Sequence, residues 1–123
     1  MMRTMVKSKI QRLTITDKNL KYQGSLELDS ALLRAADILP NEMVQVVNLN
    51  NGARFETYIM AAPAGSGKCV LNGAAARLGE VGDEVIVMST VLVDERVAHN
   101  HRIIKVTVDH NNRIIRDNQR RCH

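Results

Sequence analysis

Leu39-Pro40-Asn41-Glu42-Met43-Val44 returns in pattern, forty-two positions on, as Val81-Gly82-Asp83-Glu84-Val85-Ile86. In each copy a polar break opens into a run suited to a strand. The same shift lays Ser30 on Asn72, and both can cap a short helix. A helix–loop–strand unit is therefore written twice, in pattern more than in identity. Two such units predict similar halves packed about a pseudo-twofold axis.

The surroundings extend this picture. Met5 to Thr16 alternates and is rich in β-branched residues, which predicts a strand. Asp17-Lys18-Asn19 reads as a turn, and residues 20–28 as a short extended piece interrupted by Gly24. Asp29 or Ser30 caps a helix to about Asp37, with Leu32, Leu33 and Ala36 on one face. Met43 to Leu49 and Ala53 to Met60 are strands joined by Asn51-Gly52, a tight turn with positive φ at both positions. A loop at Pro63 to Lys68 leads to a strand through Cys69 to Leu71. Asn72 to Leu78 reads as a short helix capped by Asn72, and Glu84 to Val93 as a strong strand. Arg102 to Val108 and Arg113 to Arg116 flank Asn111-Asn112 as a terminal hairpin, with a polar end that frays. Seven or so short strands with two short helices make a mainly β chain, expected to form a small barrel.

A chain of 123 residues is one domain's worth, and 45% apolar with 24% charged residues is globular composition. The net charge of +4 is uneven: residues 94–123 carry +3 and residues 1–93 carry +1. Aromatics are 2% of the chain, with no Trp, which counts against nucleic-acid binding by base stacking. Cys69 and Cys122 are isolated, so neither a disulfide framework nor a zinc site is indicated, and a reduced cytoplasmic setting is expected. Met1 to Lys7 lacks the apolar stretch of a signal peptide, and no run approaches a membrane span.

Three motifs hint at chemistry. Gly65-Ser66-Gly67-Lys68 looks like part of a phosphate loop, but Ala62 and Cys69 occupy the places of its first Gly and its hydroxyl, so a turn is expected. His99 and His101 share a strand face, yet no acid or thiol stands at a ligand spacing, and no metal is expected. Gly24-Ser25 places a hydroxyl one peptide bond from a glycine carbonyl, and Gly24 can adopt backbone angles closed to other residues. Ser25 can then attack its own preceding peptide in an N→O acyl shift. β-Elimination of the ester leaves dehydroalanine, which hydrolyses to a pyruvoyl group. The dipeptide recurs at Gly65-Ser66, so by itself it reads as a turn.

Several stretches in order carry more weight: Met1-Met2-Arg3-Thr4-Met5 with Lys9, Leu20-Lys21-Tyr22-Gln23-Gly24-Ser25, and Asn51-Gly52-Ala53-Arg54-Phe55-Glu56-Thr57-Tyr58. Leu71-Asn72-Gly73-Ala74-Ala75-Ala76 and Val81-Gly82-Asp83-Glu84-Val85-Ile86-Val87 continue the series. Over residues 1 to about 90 the chain resembles the pyruvoyl-dependent aspartate 1-decarboxylases. The resemblance implies a six-stranded double-psi β-barrel and a homotetramer with active sites between subunits. It divides the chain into a decarboxylase domain, 1–93, and a basic extension, 94–123. The implied reaction turns L-aspartate into β-alanine and carbon dioxide for pantothenate and coenzyme A. Its electron sink is a covalent pyruvoyl group made from Ser25, forming a Schiff base with the substrate amine, with no metal and no pyridoxal phosphate.

By the same resemblance, self-cleavage falls between Gly24 and Ser25, with Thr57 polarising the Gly24 carbonyl and also contacting substrate. Tyr58 is the proton donor, its phenol being protonated near neutral pH. Lys9 and Arg54 bind substrate carboxylates, Arg54 as a planar fork and Lys9 as a point charge. Arg54 and Tyr58 are four apart on a strand and share a face, whereas Thr57 points to the other. Asn72, Gly73, Ala74 and Ala75 form the substrate loop, where backbone N–H groups and small side chains admit a carboxylate. Gln11, Lys21, Gln23 and Val47 stand where many family members carry His, His, Glu and Trp. These departures leave open both the cleavage rate and the need for an accessory maturation factor. The competing expectations are a basic barrel holding nucleic acid through its tail, and an unprocessed structural barrel. Intact mass after purification separates the cleaved outcome from both.

Overall fold

A computed structural model describes residues 1–118. The chain is mainly β. Nine strands form one sheet in the order β2-β6-β3-β5-β4-β7-β1-β8-β9. They are β1 (Met2–Thr14), β2 (Asp17–Asn19), β3 (Ser25–Asp29), β4 (Met43–Asn48), β5 (Arg54–Ala62), β6 (Cys69–Asn72), β7 (Glu84–Asp94), β8 (Ile104–Val108) and β9 (Ile114–Asp117). Two helices, α1 (Ser30–Ala36) and α2 (Glu95–Ala98), and a 3₁₀ helix (Gly73–Leu78) complete the order. The expected polar frayed end falls on residues 119–123, outside the described residues.

The strand count exceeds six for two reasons. β1 and β2 are one run of chain separated only by Ile15 and Thr16, and β8 and β9 add a hairpin beyond β1. The first part of the run pairs antiparallel with β7 and the second parallel with β6. The two ends of the run thus bracket β6, β3, β5, β4 and β7, and the sheet curves back on itself like a barrel. β5 repeats the device. It is antiparallel to β4 through Tyr58 and parallel to β3 from Ile59 onward.

The repeated unit is visible in space. β3–α1–β4 corresponds to β6–3₁₀–β7, and the corresponding strands pair antiparallel, β3 with β6 and β4 with β7. Alternation puts Leu26, Leu28, Val46, Ile59, Leu71 and Val87 at 0% exposure inside the barrel, with Ile10 and Leu13 from β1. Burying such a side chain is worth about 2 kcal/mol, so each strand is held chiefly by its inward row.

Three local expectations are corrected. Asp17–Asn19 is a strand and not a turn, because β6 supplies a partner for its backbone. The β4–β5 connection is not a two-residue turn with positive φ at Asn51 and Gly52. Only Gly52 is left-handed (φ 77°), and Asn48 N–H already bonds to Ala53 C=O, which leaves a four-residue loop. Asn72 does not cap the following helix, which is 3₁₀; its side chain is engaged elsewhere. Asp29, the first of the two cap candidates, caps α1 by accepting from Ala31 N–H at 2.8 Å.

The Gly65-Ser66-Gly67 loop does gather N–H groups about an anion, and the anion is the chain's own. Asp29 carboxylate, 3% exposed, accepts from Gly65 N at 3.0 Å and Gly67 N at 2.9 Å. The terminal hairpin is clipped to the same loop. Asn112 is buried at φ 60°, donates to Thr14 C=O and Gly67 C=O, and accepts from Thr14 N–H, each at 2.9 Å.

Candidate active site

Ser25 opens β3 and is fully buried. Its neighbours are fixed by register. β6 lies antiparallel on one side with Asn72 opposite Ser25, and β5 lies parallel on the other. Asn72 Nδ2 donates to Ser25 Oγ at 3.1 Å, and Ser25 Oγ donates to Met60 Sδ at 3.0 Å. Asn72 Oδ1 is buried with no hydrogen-bond partner. An orphaned buried acceptor is costly and marks a place where a hydrogen-bond donor fits. A carbonyl-bearing group made from Ser25 would keep the Asn72 amide as a donor, so these residues fit a pyruvoyl group.

Gly73 presses on the scissile segment. A Cβ there would lie 2.6 Å from Gly24 N and 2.7 Å from both Gly24 Cα and Tyr22 O, and its φ is +61°. Only glycine lets the two backbones meet this closely. Gly24 differs from expectation, since its φ lies outside the left-handed region and an added Cβ would meet only Asn72 O, at 4.0 Å.

Beside Gly24 is a cleft of about 320 Å³ lined by Thr57, Tyr58, Ala74 and Ala75 among others. Five residues predicted from sequence therefore share one cleft, including Gly24 itself. It meets β5 where that strand changes partner from β4 to β3. This is why Thr57, 8% exposed, and Tyr58 both reach it although they point to opposite faces. The hydroxyl of Ser25 is bonded to Asn72 and Met60 and not to Thr57.

Ser25, Asn72 and Gly73 do not line the cleft but cluster beside Gly24, whereas Lys9 and Arg54 stand apart from both. Arg54 is exposed at the far end of β5 opposite Val47, four residues or about 13 Å from Tyr58. Lys9 lies on β1 between Met88 of β7 and Lys105 of β8, three strands from β5 or about 14 Å across the sheet. Both sit on the outward face, in cross-strand rows running Lys9–Met88–Gln45–Glu56 and Ile86–Val47–Arg54.

Sequence reasoning missed Met60. The parity of β5 carried a signal, because Met60 follows Tyr58 by two and so shares its face. Cys69 has no part here. Burial pushes its thiol up to about 12, leaving it protonated and unreactive near neutral pH. Among the described residues no three His, Cys, Asp or Glu side chains converge as a metal site. His101 instead places Nε2 2.6 Å from Val6 C=O. No described helix is long and apolar enough to cross a membrane.

The model of the family described as "Aspartate decarboxylase" matches residues 1–115, which takes in most of the terminal hairpin. The "Aspartate 1-decarboxylase" of Pelotomaculum thermopropionicum is 54% identical over 120 residues, 98% of this chain and 91% of the relative. That of Thermoanaerobacter pseudethanolicus is 52% identical over 113 residues, 92% of this chain and 97% of its own. That of Staphylococcus aureus is 52% identical over 115 residues, 94% and 91% of the two chains.

Proposed function

Since the chain belongs to the aspartate decarboxylase family, we propose that it converts L-aspartate to β-alanine and carbon dioxide, for pantothenate and coenzyme A, after cutting itself between Gly24 and Ser25. The observation that carries this is a fully buried serine hydroxyl, oriented by two hydrogen bonds, directly after a glycine on which Gly73 closes backbone to backbone. Burial spares the hydroxyl from water, and orientation turns a weak nucleophile into a neighbouring one. When formed, the pyruvoyl group supplies a carbonyl that accepts the electrons left by departing carbon dioxide.

The remaining roles belong to side chains. Asn72 donates to the oxygen at residue 25, and Ala74 and Ala75 leave room for a substrate carboxylate beside Gly24. Tyr58 holds a phenolic proton at the cleft and returns it to the α-carbon. Thr57 lies where its hydroxyl can polarise the Gly24 carbonyl. Lys9 and Arg54 supply positive charge for the carboxylates, and their positions outside their own chain's cleft favour delivery across a subunit interface. A homotetramer provides such interfaces. The partner exchange of β5 and of the β1–β2 run, twice in one sheet, supports a six-stranded double-psi barrel carried by residues 1–93. Residues 94–118 then add an outer hairpin. The buried reduced thiol of Cys69 accords with a cytoplasmic setting.

Intact mass tests the proposal. The purified chain should resolve into pieces of 24 and 99 residues. The larger should resist amino-terminal sequencing because it ends in a ketone. Ser25→Ala should stay whole and release no carbon dioxide from aspartate. A wild-type chain that remains intact after prolonged incubation, with and without cell extract, would refute it.

A further inference from the structure

We infer that Met60 is a positioning residue for the Ser25 hydroxyl, and that its thioether helps set the rate at which the chain cuts itself. This rests on the self-cleavage proposed above. Serine Oγ carries one proton and two lone pairs. Here the proton is directed at Met60 Sδ, 3.0 Å away, and one lone pair accepts from Asn72 Nδ2 at 3.1 Å. One lone pair remains for the Gly24 carbonyl carbon. A serine side chain otherwise has three staggered positions to choose from, and two bonds from opposite neighbours select one. Register supplies those neighbours: Asn72 stands opposite Ser25 on β6, and Met60 opposite Glu27 on β5.

The choice of sulfur has chemical consequences. A thioether is polarizable and a weak acceptor, so it can aim an O–H without removing its proton. In the acyl shift the Oγ–carbonyl carbon bond forms, the bond from Gly24 carbon to Ser25 nitrogen breaks, and the hydroxyl proton finishes on that nitrogen. The bond to Met60 is therefore made in the uncut chain and lost as the step proceeds. After pyruvoyl formation no hydroxyl remains for Met60 to hold. Its influence belongs to cutting and not to substrate binding.

Met60→Leu keeps the volume and removes the acceptor. It should slow appearance of the 99-residue piece by up to about threefold, because the serine side chain then spreads over its three staggered positions. Its matured fraction, with no hydroxyl left to hold, should show the wild-type thermal midpoint and the wild-type KM for aspartate. Met60→Gln restores an acceptor of similar reach and should cut faster than the leucine variant. Cleavage of Met60→Leu at the wild-type rate, or slowing accompanied by a changed KM or midpoint, would overturn the inference while leaving the proposed function standing. So would a glutamine variant no faster than leucine. A wild-type chain that never cuts overturns the proposed function, and this inference with it.

Discussion

At Gly73 the left-handed backbone and the contact with Gly24 arise from one missing side chain, and the two costs can be separated. Gly52 has a similar φ, +77°, with nothing within 4 Å of an added Cβ. Gly52→Ala should therefore lose about 1–2 kcal/mol for conformation alone. Gly73→Ala should lose that and roughly 1–3 kcal/mol more, because the new carbon overlaps the backbone of Gly24 and Tyr22. Urea unfolding of both variants measures the difference, and equal losses would show that the close approach has no energetic weight. Glycine at the start of a predicted helix was a readable anomaly here, because a plain helix has no use for it. Asn72 was misread because one residue type serves both as a cap and as a buried donor. Nothing in the local pattern distinguishes them; only the antiparallel pairing of β3 with β6 does.

Among the elements, those with clean alternation were found nearly to the residue. β4, β5 and β7 each bury every second side chain over much of their length, and their period of two is carried by the sequence itself. β2 has three polar residues and no such row. It is a strand only because β6 lies beside it, a tertiary fact that propensity does not record. The terminal hairpin was readable as a hairpin, but its attachment was not, since the Asn111-Asn112 signal says nothing about which carbonyls the side chain meets. Asn112→Ala removes three hydrogen bonds, two to half-buried Thr14 and one to buried Gly67. A loss of about 3 kcal/mol is expected, read as a lower urea midpoint with an unchanged slope. A loss below half a kcal/mol would mean that the hairpin is held by its apolar contacts alone.

For the whole molecule, the grouping of Gly24, Thr57, Tyr58, Ala74 and Ala75 in one cleft was foreseeable from motifs, while the distance of Lys9 and Arg54 from it was not. Strand parity assigns a residue to a face, and only closure of the sheet says which faces meet. If Lys9 serves a neighbour's cleft, chains carrying Lys9→Ala and chains carrying Tyr58→Phe should complement one another. Co-expressed in equal amounts, they should recover about a quarter of wild-type activity, because that share of interfaces joins an intact Tyr58 to an intact Lys9. Activity no greater than that of the separate variants would place both residues in one chain's site. The position of β1 has a different consequence. It lies between β7 and β8 and gives Ile10 and Leu13 to the interior, so a break after Gly24 leaves an interior strand with no covalent tie to the rest. The mature protein is then a two-chain complex in each protomer. Once unfolded, its recovery becomes a second-order reaction between a short peptide and a barrel missing a stave, so dilution would favour loss of the fold after cutting but not before it.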